Sequence, residues 1–278
     1  MTLIEAIVLG IVQGLTEFLP VSSSGHLVLA SWALGVDAGL SVAIGVHFGT
    51  ALAVIALYRR EILRIIQGFF RGIVRRDGSS GLAWCLVITS VPAAIVGLLA
   101  EDAVDRAFSS PAFVAVGLLI TGAVLWFVQA RQTPQRGRAW HSASSRCVGR
   151  NSKLTYGQAG VIGLAQAIAI LPGVSRSGLT ISGALSVGLD REFAAEYSFI
   201  ASLPVILGGV ILYPFTSGQG LASLASVSIA AAAAAAAVSG ILAMLLLRSL
   251  VKQGRLRYFS YYVWAVGIIT LLLRAGGM

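Results

Sequence analysis

The side chains able to do chemistry are gathered into two short stretches of an otherwise greasy chain. The first runs from Gln13 to His26 and carries Gln13, Glu17, Ser22, Ser23, Ser24 and His26. The second, Leu171-Pro172-Gly173-Val174-Ser175-Arg176-Ser177-Gly178-Leu179-Thr180, holds the only charge between Lys153 and Asp190. An isolated guanidinium in an apolar setting is costly and is kept for a partner or a ligand. Framed by hydroxyls and glycines, Arg176 suits a phosphate, which takes a fixed positive fork and open backbone N–H groups. On a helix, Gln13 and Glu17 are four residues apart and share a face. A carboxylate, three serines and an imidazole around one break supply the parts for acid–base or nucleophilic chemistry. Glu17 also offers the oxygen ligands a divalent cation prefers. If the two stretches meet, a carboxylate, an imidazole and a guanidinium converge in an apolar cavity. That set suits phosphoryl transfer, where positioning and charge neutralisation do most of the work.

Composition says what must hold these stretches in place. The chain has 278 residues, is 57% hydrophobic and 11% charged, with a mean hydropathy of +0.87. A soluble domain has about a quarter of its residues charged. The sequence therefore predicts an all-α integral membrane protein, one membrane domain over residues 1–278 with no soluble domain. Six apolar runs are long enough to span, near 41–58, 83–100, 111–130, 193–213, 223–247 and 258–274. Residues 1–36 and 156–189 are also apolar, but Pro, Ser and Gly interrupt each in the middle. Irregular backbone at membrane depth is tolerated only where protein or a cavity surrounds it. Both read as re-entrant helix-loop-helix hairpins.

The hairpins resemble each other. A shift of 153 residues lays Gly10 on Gly163, Gln13 on Gln166, Val21 on Val174 and Ser22 on Ser175. It also lays Ser24 on Ser177, Gly25 on Gly178, Gly35 on Gly188 and Asp37 on Asp190. This reads as a duplication: repeat one, about 1–130, and repeat two, about 156–275, each a hairpin plus three spans. Three spans per copy turn the second upside down, the inverted-repeat logic of transporter folds.

The net charge of +9 does not indicate nucleic acid. All of the 20 Lys and Arg except Arg106, Arg176, Arg191 and Arg274 lie in the segments 59–76, 131–153 and 248–257. Those segments read as cytoplasmic loops, and all fall on one side of the predicted topology. Both termini and the mouth of hairpin one then face outward. Cys85, in an apolar run, and Cys147, in a basic loop, are expected to stay unpaired. The run Ala230 to Ala237 reads as close helix packing.

The segment Gln13-Gly14-Leu15-Thr16-Glu17-Phe18-Leu19-Pro20-Val21-Ser22-Ser23-Ser24-Gly25-His26 resembles the first motif of the undecaprenyl-diphosphatases, the bacitracin-resistance type of membrane phosphatase. Pro172-Gly173-Val174-Ser175-Arg176-Ser177-Gly178-Leu179-Thr180 resembles the second, and the likeness extends over the whole chain. It implies hydrolysis of undecaprenyl diphosphate, a polyprenyl diphosphate lipid, to undecaprenyl phosphate and inorganic phosphate in the bacterial cytoplasmic (inner) membrane. That reaction would recycle the lipid carrier for cell-wall synthesis and confer bacitracin resistance. It further implies a divalent cation, Mg2+ or Ca2+. Two positions depart from the family pattern. Gln13 stands where a second glutamate is common, leaving one carboxylate in the motif. His47 stands where many relatives have glutamine, and is read as packing or support.

Combining motif and residues assigns catalytic roles to Glu17, Ser23, His26 and Arg176. Ser22, Ser24, Ser175, Arg176, Ser177 and Thr180 are assigned to the phosphates, and Glu17 with Gln13 to the cation. Ser23, or a water in its place, attacks and His26 shuttles the proton or stabilises the transferring group; the two residues can also exchange the roles of nucleophile and base. Plainer alternatives stand beside these. Glu17 and Arg176 can be a structural ion pair, and the serines can satisfy backbone freed at the breaks. The competing function is a transporter or flippase for a polyprenyl phosphate lipid, since fold alone does not fix activity. The expected partners are the lipid substrate, the surrounding membrane lipids and, in a homodimer, a second copy.

Overall fold

The computed structural model describes residues 1–36, 39–100, 107, 110–131, 146–149, 152–216 and 226–276. Ten helices organise them. α1 (Leu3–Phe18) and α2 (Ser23–Leu34) are followed by α3 (Gly39–Arg75), α4 (Gly81–Leu99) and α5 (Pro111–Arg131). A short antiparallel pair, β1 (Arg146–Gly149) and β2 (Ser152–Thr155), comes next, with Arg146 opposite Thr155. Then follow α6 (Tyr156–Ile168), α7 (Arg176–Ser186), α8 (Arg191–Thr216), α9 (Val227–Lys252) and α10 (Arg257–Ala275). Six of these, α3, α4, α5, α8, α9 and α10, are long and apolar enough to cross a membrane. The expectation of six spanning helices and two interrupted ones holds.

Three local readings change. The segment 59–76, expected to be a loop, continues as helix to Arg75, bent at Tyr58 (φ −107°, ψ 21°). No proline interrupts it, so the backbone ladder runs on while the basic residues face outward. Part of 131–154, read as loop, forms β1 and β2. Cys85, expected to be unpaired, is disulfide-bonded; its helix α4 packs against the strand pair. The segments 101–106, 132–145 and 217–225, which carried part of the charge argument, lie outside the described residues.

Helix starts explain the two interrupted segments. Thr2 and Glu5 form a capping box at the head of α1, each satisfying a backbone N–H of the other. Thr155 and Gln158 do the same for α6. These pairs stand 153 residues apart, so the correspondence reaches beyond the V-S-x-S-G matches. Packing exchanges partners between the halves: α1 lies on α9, α6 on α4, α5 on α10 and α3 on both α8 and α9. The alanine run of α9 receives α1 closely. A Cβ on Gly10 would sit 2.2 Å from the Ala232 carbonyl oxygen, so only the small residues on both helices allow this approach. At the end of α1, Phe18 meets Phe199 of α8 edge-on at 5.6 Å, anchoring the first break in the main core.

Candidate active site

Each break is made by residues unable to continue a helix. Leu19 leaves α1 in an extended conformation (φ −66°, ψ 144°), and Pro20 lacks the N–H a further turn would use. Ser22 turns the chain with φ +68°, a region costly for a side chain other than glycine. It then caps α2, its hydroxyl accepting the Gly25 N–H. At the second break Gly173 takes the positive φ (+81°) and packs so tightly that a Cβ would lie 2.0 Å from the Val114 carbonyl oxygen. Thr121 of α5 braces this turn by donating to the Gly173 carbonyl and accepting the Ser175 N–H. Ser175 caps α7 by accepting the Gly178 N–H at 3.1 Å.

The two breaks touch. Ser177 Oγ donates to the Leu19 carbonyl at 3.0 Å, and a Cβ on Gly178 would be 3.3 Å from Pro20 Cβ. Glu17, 6% exposed, lies at the junction. Its Oε1 accepts from Arg176. Its Oε2 accepts from Ser23 Oγ at 2.6 Å and from Gln13 Nε2 at 2.7 Å. His47 Nε2 stands 3.7 Å from Oε2. The ring's Nδ1–H donates to the Ala43 carbonyl. Ser23 and Arg176 are the first helical residues of α2 and α7, so the heads of two helices face one carboxylate. The backbone N–H groups of Ser23, Ser24, Arg176 and Ser177 lie in those first turns, outside the intrahelical ladder. Helix heads of this kind favour anions. The Arg176 side chain is 16% exposed, and its guanidinium has donors beyond the one given to Glu17.

Residues 6–269 match the family described as bacitracin resistance protein BacA. The chain belongs to this family. It is 38% identical to the undecaprenyl-diphosphatase of Methanobrevibacter smithii over 98% of both chains. It is 40% identical to that of Rubrobacter xylanophilus over 98% of both. With that of Acaryochloris marina the identity is 39% over the full length of each.

The divalent cation that the motif resemblance implies would need oxygen ligands. Gln13 must turn its amide N–H toward the Glu17 carboxylate, since a carboxylate only accepts. Its Oε1 is therefore aimed elsewhere, buried and without a partner. An orphaned amide oxygen beside a carboxylate fits a hard cation that takes few protein ligands and completes its shell from phosphate and water. Gln13 and Glu17 would hold it. Among the described residues no group of three or more His, Cys, Asp or Glu side chains converges.

The remaining assigned residues divide. Ser22 and Ser175 serve as helix caps, and each also lies within hydrogen-bonding distance of a serine two residues on, Ser24 or Ser177. Thr180 Oγ1 donates to the Arg176 carbonyl and pairs with Ser198 of α8, so it braces the turn that carries Arg176. His26 is not joined to Glu17. Its Nδ1 lies 2.8 Å from the Ser22 carbonyl and its Nε2 2.8 Å from the Tyr262 hydroxyl. Sequence reasoning missed Tyr262, which sits among aromatics at the start of α10 with no spacing to single it out. It set His47 aside because a histidine in an apolar run is usually packing.

Proposed function

We propose that this protein hydrolyses undecaprenyl diphosphate to undecaprenyl phosphate and inorganic phosphate. The observation that carries the reading is the junction at Glu17, where Ser23 and Arg176 reach the two oxygens of one buried carboxylate. The family and the names of its relatives point to the same substrate.

In this reading Arg176 and the heads of α2 and α7 take the terminal phosphate. Ser23 Oγ attacks its phosphorus and gives its proton to Glu17 Oε2. The new Oγ–P bond forms as the anhydride P–O bond breaks, and undecaprenyl phosphate leaves. Glu17 passes that proton to the departing phosphate; the carboxylate so regenerated takes a proton from the attacking water and returns it to Ser23 Oγ as the Oγ–P bond breaks and inorganic phosphate leaves. Arg176 holds Glu17 in place before substrate arrives and neutralises phosphate charge afterwards. The cation, when bound, neutralises further charge on the diphosphate. The structural-ion-pair alternative explains Arg176 but leaves the short Ser23–Glu17 hydrogen bond without a purpose.

The distribution of the basic segments along the sequence supports the following setting. The interrupted helices enter the cytoplasmic membrane as re-entrant hairpins from opposite faces, as an inverted repeat would place them. Both termini and the site mouth lie outward. The product lipid would re-enter cell-wall synthesis, and the activity would confer bacitracin resistance. The test is phosphate release from undecaprenyl diphosphate by purified protein in detergent, with and without chelator. Wild type releases phosphate, chelator suppresses it and Arg176→Ala abolishes it. A flippase has no membrane to cross in detergent, so a wild type that releases no phosphate would return the argument to transport.

A further inference from the structure

We infer that Tyr262 is a positioning residue of this site, acting through His26. The inference rests on the proposed phosphatase reading only for its activity readout. The tautomer of His26 is fixed by its neighbours. A carbonyl oxygen can only accept, so the 2.8 Å contact to Ser22 requires the proton on Nδ1. Nε2 of the neutral ring is then an acceptor, and the Tyr262 hydroxyl donates to it at 2.8 Å. The two rings also stack, 5.5 Å apart and 15° from parallel. Ser22 contributes through its φ of +68°, the same turn that sets its carbonyl against the imidazole.

Two consequences follow. His26 is held with its basic nitrogen directed at α10, not at Ser23, which leaves Glu17 as the base that touches Ser23. The hydroxyl of Tyr262 can also remain a partner if His26 gains a proton, because it then accepts where it formerly donated. Tyr262 is 47% exposed, so the pair forms on the accessible side of α2, one turn from Ser23. The contact joins residues 236 apart in sequence. A helix from the second half of the chain thus orients a side chain of the first break.

Tyr262→Phe keeps the ring and its stacking and deletes only the hydroxyl. In the full-length protein in detergent, with undecaprenyl diphosphate, kcat falls about tenfold with KM unchanged, because an imidazole no longer fixed by that hydroxyl loosens the head of α2 that holds Ser23 in its reacting geometry. In a His26→Ala background the same substitution costs nothing further. Tyr261→Phe, on the neighbouring ring, leaves kcat at the wild-type value. The chain has three histidines, so 15N-histidine NMR, with His26→Ala as the assignment, reads the tautomer directly. In wild type the His26 proton is on Nδ1, and in Tyr262→Phe the Nε2 resonance moves. Full activity in Tyr262→Phe, an equal loss in the His26→Ala background, or an unmoved Nε2 resonance would each overturn the inference. If wild type released no phosphate, the functional reading would fail while the NMR result still decided the Tyr262–His26 pairing.

Discussion

The two breaks share a plan and differ in a few side chains. Both follow a helix that opens with a capping box, both turn on V-S-x-S-G, and both use the first serine of that motif as the cap of the next helix. At the position between the serines one carries Ser23 and the other Arg176. Both side chains end on Glu17, whose counterpart in the second break is Ile170. The first break absorbs a strained Ser22, whereas the second places its positive φ on Gly173 and is braced by Thr121. Equivalent backbones therefore carry unequal side chains: one break supplies a hydroxyl and a carboxylate, the other the guanidinium that faces them. A site built this way cannot exist in either copy alone.

The comparison is broken most severely by removing the one residue the second copy lends to the first. Arg176→Ala lowers phosphate release by about 10³-fold, the scale of losing a charge-stabilising donor. It also leaves the buried Glu17 carboxylate without its guanidinium partner, costing up to about 3–5 kcal/mol, visible as a lower thermal midpoint in detergent. Ser23→Ala, at the matching position of the other break, lowers kcat by at least about 10²-fold while the midpoint stays near wild type. The contrast separates the proposed roles, catalytic and structural for the arginine and catalytic alone for the serine. Equal midpoints in the two variants would contradict it.

Gly173→Ala probes the backbone of the second break. The positive φ alone costs a residue with a Cβ roughly 1–2 kcal/mol, and the contact with Val114 adds to it, so the thermal midpoint falls. Ser22→Ala and Ser175→Ala test the shared plan with the smallest effects. Each removes one cap, worth about 1 kcal/mol, and the two losses should agree. A large difference would mean that the breaks are not equivalent in construction.

Much of this was legible in the sequence because its signals are compositional or local. Six spans follow from continuous apolar runs, and the breaks follow from Pro20, Pro172 and the serine–glycine clusters. The meeting of Glu17 and Arg176 was anticipated from two isolated charges that each lack a partner nearby. Other features depend on distant packing and had no local trace. The helical continuation from Arg59 to Arg75 was hidden because basic residues serve loops and helix ends equally well. The contact of Tyr262 with His26 joins the last helix to the first break, and one tyrosine among several carries no mark of it. Thr180 was legible only as the close of the second motif; its hydrogen bonds to the Arg176 carbonyl and to Ser198 depend on how α7 meets α8 and left no local trace.

The contact between the breaks is open to a direct covalent test. Gly178 lies so near Pro20 that a Cβ there falls 3.3 Å from Pro20 Cβ, just short of the roughly 3.5–4.5 Å that a disulfide spans, a difference that a few tenths of an ångström of adjustment would make up. In a background with Cys85 and Cys147 replaced by alanine, Pro20→Cys with Gly178→Cys is predicted to oxidise to an intramolecular cross-link, read by mass spectrometry of the digested protein. Reduced, unlinked peptides under the same oxidant would show that the two breaks stand apart and that Glu17 and Arg176 do not share a site.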